Sequence, residues 1–210
     1  MGSEMCIRDS FSFFAWKAWC LIVGMWKLRR IRNCFVHPLS KIKCSSKIRM
    51  GKNLNIDRDC YIDALSINGI QLGDNVSVGK NTTIECSGTL KDLGKGLNVG
   101  DNVGLGTHGF FGCAGGIEIG DNTIFGNYVS MHSENHNFLD HSQPIRLQGV
   151  NRKGIKIGND CWIGAKVTIL DGTIIGNGCI VAAGAVVCGH FPENVIIGGV
   201  PAKIIKQRFS

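Results

Sequence analysis

Residues 157–187 read IGNDCWIGAKVTILDGTIIGNGCIVAAGAVV, and here Ile157, Ile163, Ile169, Ile175, Val181 and Val187 stand six residues apart without a slip. Four of the six are followed by a small residue, as Gly158, Gly164, Gly176 and Ala182. A period of six belongs neither to a helix nor to a hairpin. It suits one short strand plus one turn, with a single aliphatic side chain pointing inward and a small residue where the backbone bends. Three such units close a triangular coil. Each coil buries its aliphatic residues against the coils above and below, so stability accumulates by stacking.

The same rule governs shorter runs on either side. Leu72, Val78, Ile84 and Leu90 form one; Val99, Leu105, Phe111 and Ile117 another; Ile119, Phe125 and Met131 a third. The phase resets between runs, which predicts insertions near Lys91 to Asn98 and a larger one after Met131. Gly73-Asp74-Asn75, Gly100-Asp101-Asn102, Gly120-Asp121-Asn122 and Gly158-Asn159-Asp160 read as the turns, because Gly, Asn and Asp tolerate the left-handed backbone region.

The 210 residues, 44% hydrophobic and 19% charged, allow one sizeable core, and the 29 glycines are spaced among Ile, Val and Leu as turn residues of a mainly β chain. The net charge of +7 is concentrated in Arg29, Arg30, Arg32, Lys41, Lys43, Lys47 and Arg49, and again in Lys203, Lys206 and Arg208. Such clusters suit a phosphate-bearing ligand, an anionic membrane surface or plain solvation. The ten cysteines contain no CxxC pair, so small buried thiols in a reducing compartment are expected rather than disulfides or zinc ligands. Nothing resembles a nucleic-acid module, a Rossmann fingerprint or a P-loop.

Residues 1–10 do not match the pattern of the remaining chain and read as a leader of vector or sequencing origin. From Phe11 to about Asn33, Phe14, Ala18, Leu21, Ile22, Met25 and Leu28 recur at helical intervals. Trp16, Trp19, Val23 and Trp26 fall largely outside that stripe, so the helix is apolar almost all round. It is interrupted by Lys17 and too short for a bilayer span. Packing on the body or on a neighbouring subunit, and lying in a membrane interface, both stay open. The organisation expected is therefore a helical, basic segment over 11–50 and a coil over 51–208, with a loop inserted at 132–156.

Ile119-Gly120-Asp121-Asn122, the run from Ile157 to Ala165 and the closing Ile197-Gly198-Gly199-Val200-Pro201-Ala202-Lys203 together resemble the hexapeptide-repeat acetyltransferases. The likeness is greatest to maltose and galactoside O-acetyltransferases and to capsule or lipopolysaccharide O-acetyltransferases. The resemblance implies a left-handed parallel β-helix, a homotrimer with active sites between subunits, acetyl-CoA as co-substrate without a metal, and a saccharide acceptor. A cytoplasmic location, at the inner face of the membrane if the helix binds there, completes the expectation.

Where the repeat fails, the chain reads His132-Ser133-Glu134-Asn135-His136-Asn137-Phe138, then His141 and Pro144. A long excursion from a rigid coil is where function concentrates. Acyl transfer to an alcohol needs a base for the hydroxyl proton, and imidazole titrates near neutral pH. By its place before Phe138, His136 resembles the family's catalytic histidine. Glu134 either orients an imidazole or is an exposed loop acid, and His132 either binds the acceptor or holds the loop. His108 and His141 are expected to be structural or surface residues. Cys113, Cys161 and Cys188 sit in repeat or turn positions to which the sequence assigns no base, and direct attack without an acyl-enzyme is the route the resemblance implies.

For the donor, Trp162, Ala165, Ala183 and Gly184 look like positions that admit the pantetheine arm, with Lys203 and Lys206 near the nucleotide phosphates. Cys188 and Gly189 depart from the pattern, standing where better-known relatives carry Thr and Lys. Two rival readings share the coil. One is a gamma-type carbonic anhydrase, with His132, His136 and His141 as zinc ligands; the other is a non-catalytic trimeric scaffold.

Overall fold

The computed structural model describes residues 2–29, 33–89 and 91–209, with side chains from residue 13 onward. Arg30, Arg32 and Leu90, read above as basic or repeat positions, lie outside the described residues. Beyond an N-terminal helix, Gly2–Leu28, the chain winds into a parallel β-helix whose three faces are sheets of nine, seven and seven strands.

On the first face Val36, Ile56, Val78, Leu105, Phe125, Ile163, Val181 and Ile197 stack in one inward column. Ile42, Ile62, Ile84, Phe111, Met131, Ile169 and Val187 do so on the second. Met50, Leu72, Val99, Ile119, Ile157, Ile175 and Phe191 complete the third. All but Ile42 and Met50 are buried. The six-residue period is this core.

The repeat has a second inward position, two residues earlier, which the period alone does not announce. Cys34, Ser40, Cys60, Thr82, Thr123, Cys161, Thr173 and Cys179 occupy it, all buried. Their hydroxyls and thiols donate to carbonyls of the next coil: Thr82 to Gly106 at 2.9 Å, Thr123 to Gly158 at 3.0 Å, Cys60 to Gly79 at 3.2 Å and Cys161 to Gly176 at 3.3 Å. Leu54, Val76, Val103, Val129 and Val167 hold the same position elsewhere and are equally buried, so it accepts a small donor without requiring one. The nine described cysteines are all free.

From the first face to the second, and from the third back to the first, every step between column residues is six. From the second to the third it varies: eight residues from Ile42 to Met50, fifteen from Ile84 to Val99, and twenty-six from Met131 to Ile157. Every phase reset in the sequence therefore falls at one edge of the prism.

Two boundaries differ from the sequence reading. The coil begins at Cys34 rather than at residue 51, because Cys34–Val36, Lys41–Lys43 and Ile48–Met50 already pair as the first coil. The helix starts at Gly2, running through the segment read as a leader, and its inward face is Cys20, Val23, Gly24 and Leu28. Phe14 and Ile22 of the expected stripe are exposed instead. Where every face is apolar, close approach decides: a Cβ on Gly24 would lie 2.0 Å from the Cys34 carbonyl oxygen. Lys27 fixes the helix end by donating to the Pro38 carbonyl at 2.6 Å and to that of Ser40.

Candidate functional site

The excursion leaves the second face after Ser130–His132 and rejoins the third at Ile155–Ile157, which trims the expected loop to 133–154. Ser133, fully buried, secures the exit: its hydroxyl donates to the Gly112 carbonyl at 2.7 Å and accepts from the Gly115 amide at 2.9 Å. Asn135–His136 then pairs antiparallel with Val150–Asn151, His136 opposite Val150. Beyond the ribbon, Asp140 closes the tip by accepting from the Ser142 amide and hydroxyl and from the Gln143 amide at 2.6–2.8 Å. Those bonds hold its carboxyl below the usual range. Gln148 bridges the two limbs, accepting from the Asp140 amide at 3.0 Å and donating to the Asp140 carbonyl at 2.7 Å. The excursion is thus a built element and not a slack loop.

His136 is exposed, and its imidazole makes no hydrogen bond with the described residues. It lines a cavity of about 360 Å³ with Phe138, Leu139, Asp140, Gln143 and Gln148. His132 sits elsewhere. Its Nε2 lies 2.6 Å from the Ser130 hydroxyl and its ring 5.4 Å from that of Phe110. With Glu85, Ser87 and Glu134 it lines a separate cavity of about 270 Å³. Glu134, offered in the sequence as a partner for an imidazole, accepts instead from Arg152 Nε at 2.6 Å. His132, His136 and His141 do not form a metal-holding group among the described residues.

Arg152 and Asp171 are the residues the sequence reading missed. The Arg152 side chain, 11% exposed, also meets the Asp92 carboxylate at 2.9 Å and the Leu93 carbonyl at 3.3 Å, tying the excursion to the smaller insertion of the coil before last. Asp171 is 5% exposed and accepts from the amides of Lys153 at 3.0 Å and Gly154 at 2.7 Å. The available signal was a carboxylate at the uninterrupted edge of the coil immediately after the insertion.

The donor candidates fall together. Trp162, Ile180, Ile196 and Lys206 occupy one outward row on the first face, in register across successive strands. At about 4.8 Å per strand, Lys206 lies about 14 Å from Trp162. Ala165, Ala183 and Gly184 stack at the adjoining edge, where the Gly184 amide donates to the Ala165 carbonyl at 2.9 Å. A Cβ on Gly184 would meet nothing within 4 Å, so that edge is open. Lys203 faces Gly198 on the antiparallel C-terminal strand, Ala202–Gln207. An exposed indole, a small-residue edge and two exposed lysines fit a ligand with an apolar arm and phosphates at its far end. Burial pushes the Cys161 thiol up to about 11 and that of Cys113 well above the ordinary thiol value, so these two are neutral core thiols.

Residues 154–189 match the family described as bacterial transferase hexapeptide (six repeats). Over 98 residues the chain is 41% identical to the Escherichia coli protein named "Putative lipopolysaccharide biosynthesis O-acetyl transferase WbbJ", covering 43% of this chain and 50% of that one. Over 91 residues it is 32% identical to the galactoside O-acetyltransferase of Escherichia coli, covering 43% and 44%. The chain spans half or less of the length of these curated relatives. Among solved structures it is similar to a point mutant of AntD, an N-acyltransferase from Bacillus cereus, in complex with dTDP and coenzyme A, with TM-score 0.64 and 22% identity over 87% of this chain and 89% of that one. The coil has the left-handed β-helix fold of the hexapeptide-repeat acetyltransferases, and the chain resembles that family.

Proposed function

We propose that this hexapeptide-repeat chain is an acetyl-CoA-dependent O-acetyltransferase acting on a saccharide hydroxyl, in the making of a surface polysaccharide. The observation that carries the reading is His136, an exposed imidazole without a partner among the described residues, presented beside a cavity by the longest excursion of the coil. The named relatives supply the acyl chemistry and the saccharide class.

In this reading the acceptor hydroxyl gives its proton to His136 as its oxygen bonds the thioester carbonyl carbon. The C–S bond then breaks, and the proton passes to the departing thiolate. Backbone amides near the donor row meet the developing oxyanion. Trp162, Ala165, Ala183 and Gly184 hold the pantetheine arm, and Lys203 and Lys206 the phosphates. Gly189 has no side chain with which to contact a phosphate.

His136 rises from the edge between the second and third faces, while the donor row lies on the first face and its edge with the second. The whole second face separates them, so the reading requires a second copy of the chain to bring a donor row to each histidine, which a trimer does. On the helix, Phe13, Phe14, Trp16, Trp19, Ile22 and Trp26 are exposed, and we assign this face to the surface of an anionic membrane. No described helix is long and apolar enough to cross one.

Thiol release from acetyl-CoA, measured against a panel of sugars and amino sugars with His136→Ala beside the unmodified chain, tests the activity. Sugar-dependent release that falls at least a hundredfold in the variant is expected. Release only with amino sugars makes the reaction N-acylation. Release untouched by the substitution moves the base elsewhere, and none with any acceptor removes the assignment.

A further inference from the structure

A buried carboxylate without a cation is costly and calls for an explanation. Asp171 is 5% exposed and takes part in none of the ion pairs among the described residues. It stands at the edge between the second and third faces, in the coil directly after the one that carries the excursion. That step, Ile169 to Ile175, has no insertion, so a plain turn with Gly172 at φ +80° closes it. The carboxylate is not needed for its own turn, because Thr173 already caps the corner by donating to the Leu170 carbonyl at 2.6 Å.

All of its contacts go to the excursion. Oδ1 accepts from the amides of Lys153 at 3.0 Å and Gly154 at 2.7 Å, and Oδ2 from Lys153 at 3.1 Å. Oδ2 also lies 3.5 Å from the side-chain amide of Asn135, at the long limit of a hydrogen bond. One carboxylate thus meets the returning limb firmly and the departing limb beside His136 loosely. The returning limb is the one that matters for the imidazole, since Val150–Asn151, two residues before Lys153, is the strand paired with Asn135–His136.

We propose that Asp171 is a positioning residue for His136, acting through the backbone of the returning limb. A carboxylate is suited to the task because it is acceptor-only and can satisfy several N–H donors at once. The rigid coil beneath then sets where the ribbon stands, and the ribbon sets where the imidazole points. An angstrom of misplacement is costly to proton transfer, while the donor row, built on another face, does not register it.

The inference rests on His136 as the base, and the experiment keeps the two separate. Asp171→Ala, Asp171→Asn and His136→Ala are compared in the full chain by steady-state kinetics, and the exchange of the Lys153 and Gly154 amides is followed by NMR. For Asp171→Ala the expectation is a tenfold or larger fall in kcat, an unchanged KM for acetyl-CoA, and loss of protection at both amides. Asp171→Asn keeps one acceptor oxygen and is expected to recover most of kcat. If kcat per folded molecule stays unchanged in Asp171→Ala while His136→Ala is inactive, the positioning role is overturned and the base assignment stands. Protection kept at both amides in Asp171→Ala overturns the contact itself, whatever the activity.

Discussion

Replacing Arg152 by Met tests how the excursion is held, because Met keeps the apolar stem and removes only the guanidinium. The bond to Glu134 is short, 2.6 Å, and half sheltered, the Glu134 side chain being 29% exposed. A charge-assisted bond of that kind contributes about 1.5–3 kcal/mol. The Asp92 carboxylate is 62% exposed and adds about 0–1 kcal/mol. The bonds to the carbonyls of Leu93 and Asp92, at 3.3 and 3.2 Å, add little more. The loss is therefore about 3 kcal/mol, and it is local, since no column residue of the core touches the guanidinium in these contacts. Opening of 87–95 and 133–152 should become more frequent by on the order of a hundredfold. Hydrogen–deuterium exchange resolved to peptides reads this directly: the Asn137 amide, bonded to the Gly149 carbonyl at 3.0 Å, should exchange that much faster, while 155–187 keep their protection. Unchanged exchange in the excursion would refute the tether, and equal acceleration in 155–187 would refute its being local.

The thiols and the helix offer further tests. Cys161 holds its proton to about 11 in the folded chain because burial desolvates it, whereas a free thiol titrates near 9.0. The unfolded state releases that proton first, so the contribution is complete below pH 9 and is lost as pH rises towards 11. The urea midpoint should therefore fall more between pH 8 and pH 10.5 in the unmodified chain than in Cys161→Ser, and equal falls would sink the argument. For the helix, Trp26, 77% exposed, replaced by Asp should weaken co-sedimentation with vesicles containing phosphatidylserine while leaving the thermal midpoint in place. Undiminished sedimentation would remove the membrane from the reading and leave a neighbouring subunit as the occupant.

The period of six was legible because an aliphatic residue returns at every sixth position from Ile157 to Val187 while Gly, Asn and Asp recur between, so the run could be read as core without any knowledge of the coil. The same pattern located both larger insertions. The second inward position was not legible, since Cys161, Thr173, Val167 and Ala185 share no hydropathy, only a place in the repeat. The helix face was illegible for the opposite reason: all its faces are apolar, and the choice falls to Gly24 against the Cys34 carbonyl. At the site, His136 stood out as an imidazole in a broken repeat. Arg152 and Asp171 did not, because their partners are backbone groups and acids distant in sequence, and only the winding of the coil brings them together.

The winding also explains why the excursion stands where it does. At the edge between the third and first faces, the amides of Lys52, Asp74, Asp101, Asp121 and Asn159 each donate to the Asp or Asn side chain of the next coil at 2.6–2.8 Å. A side chain on Gly100 would put its Cβ 2.1 Å from Asp121 Oδ1, so glycine is required beside each rung. At the edge between the first and second faces, the amides of Asn81, His108, Tyr128, Lys166 and Gly184, all at positive φ, donate to the preceding coil at 2.8–3.0 Å. One extra residue at either edge breaks two rungs at once. At the remaining edge the amides of Ala64, Cys86, Cys113 and Ser133 also donate to the preceding coil, at 2.7–3.3 Å, but the span beyond those rungs differs from coil to coil, and lengthening it costs only about 0.6 kcal/mol per doubling. The excursion grows from the one edge at which the step between column residues already varies. On the proposed reading, that separation of the base from the donor row is what makes the single chain half of a site.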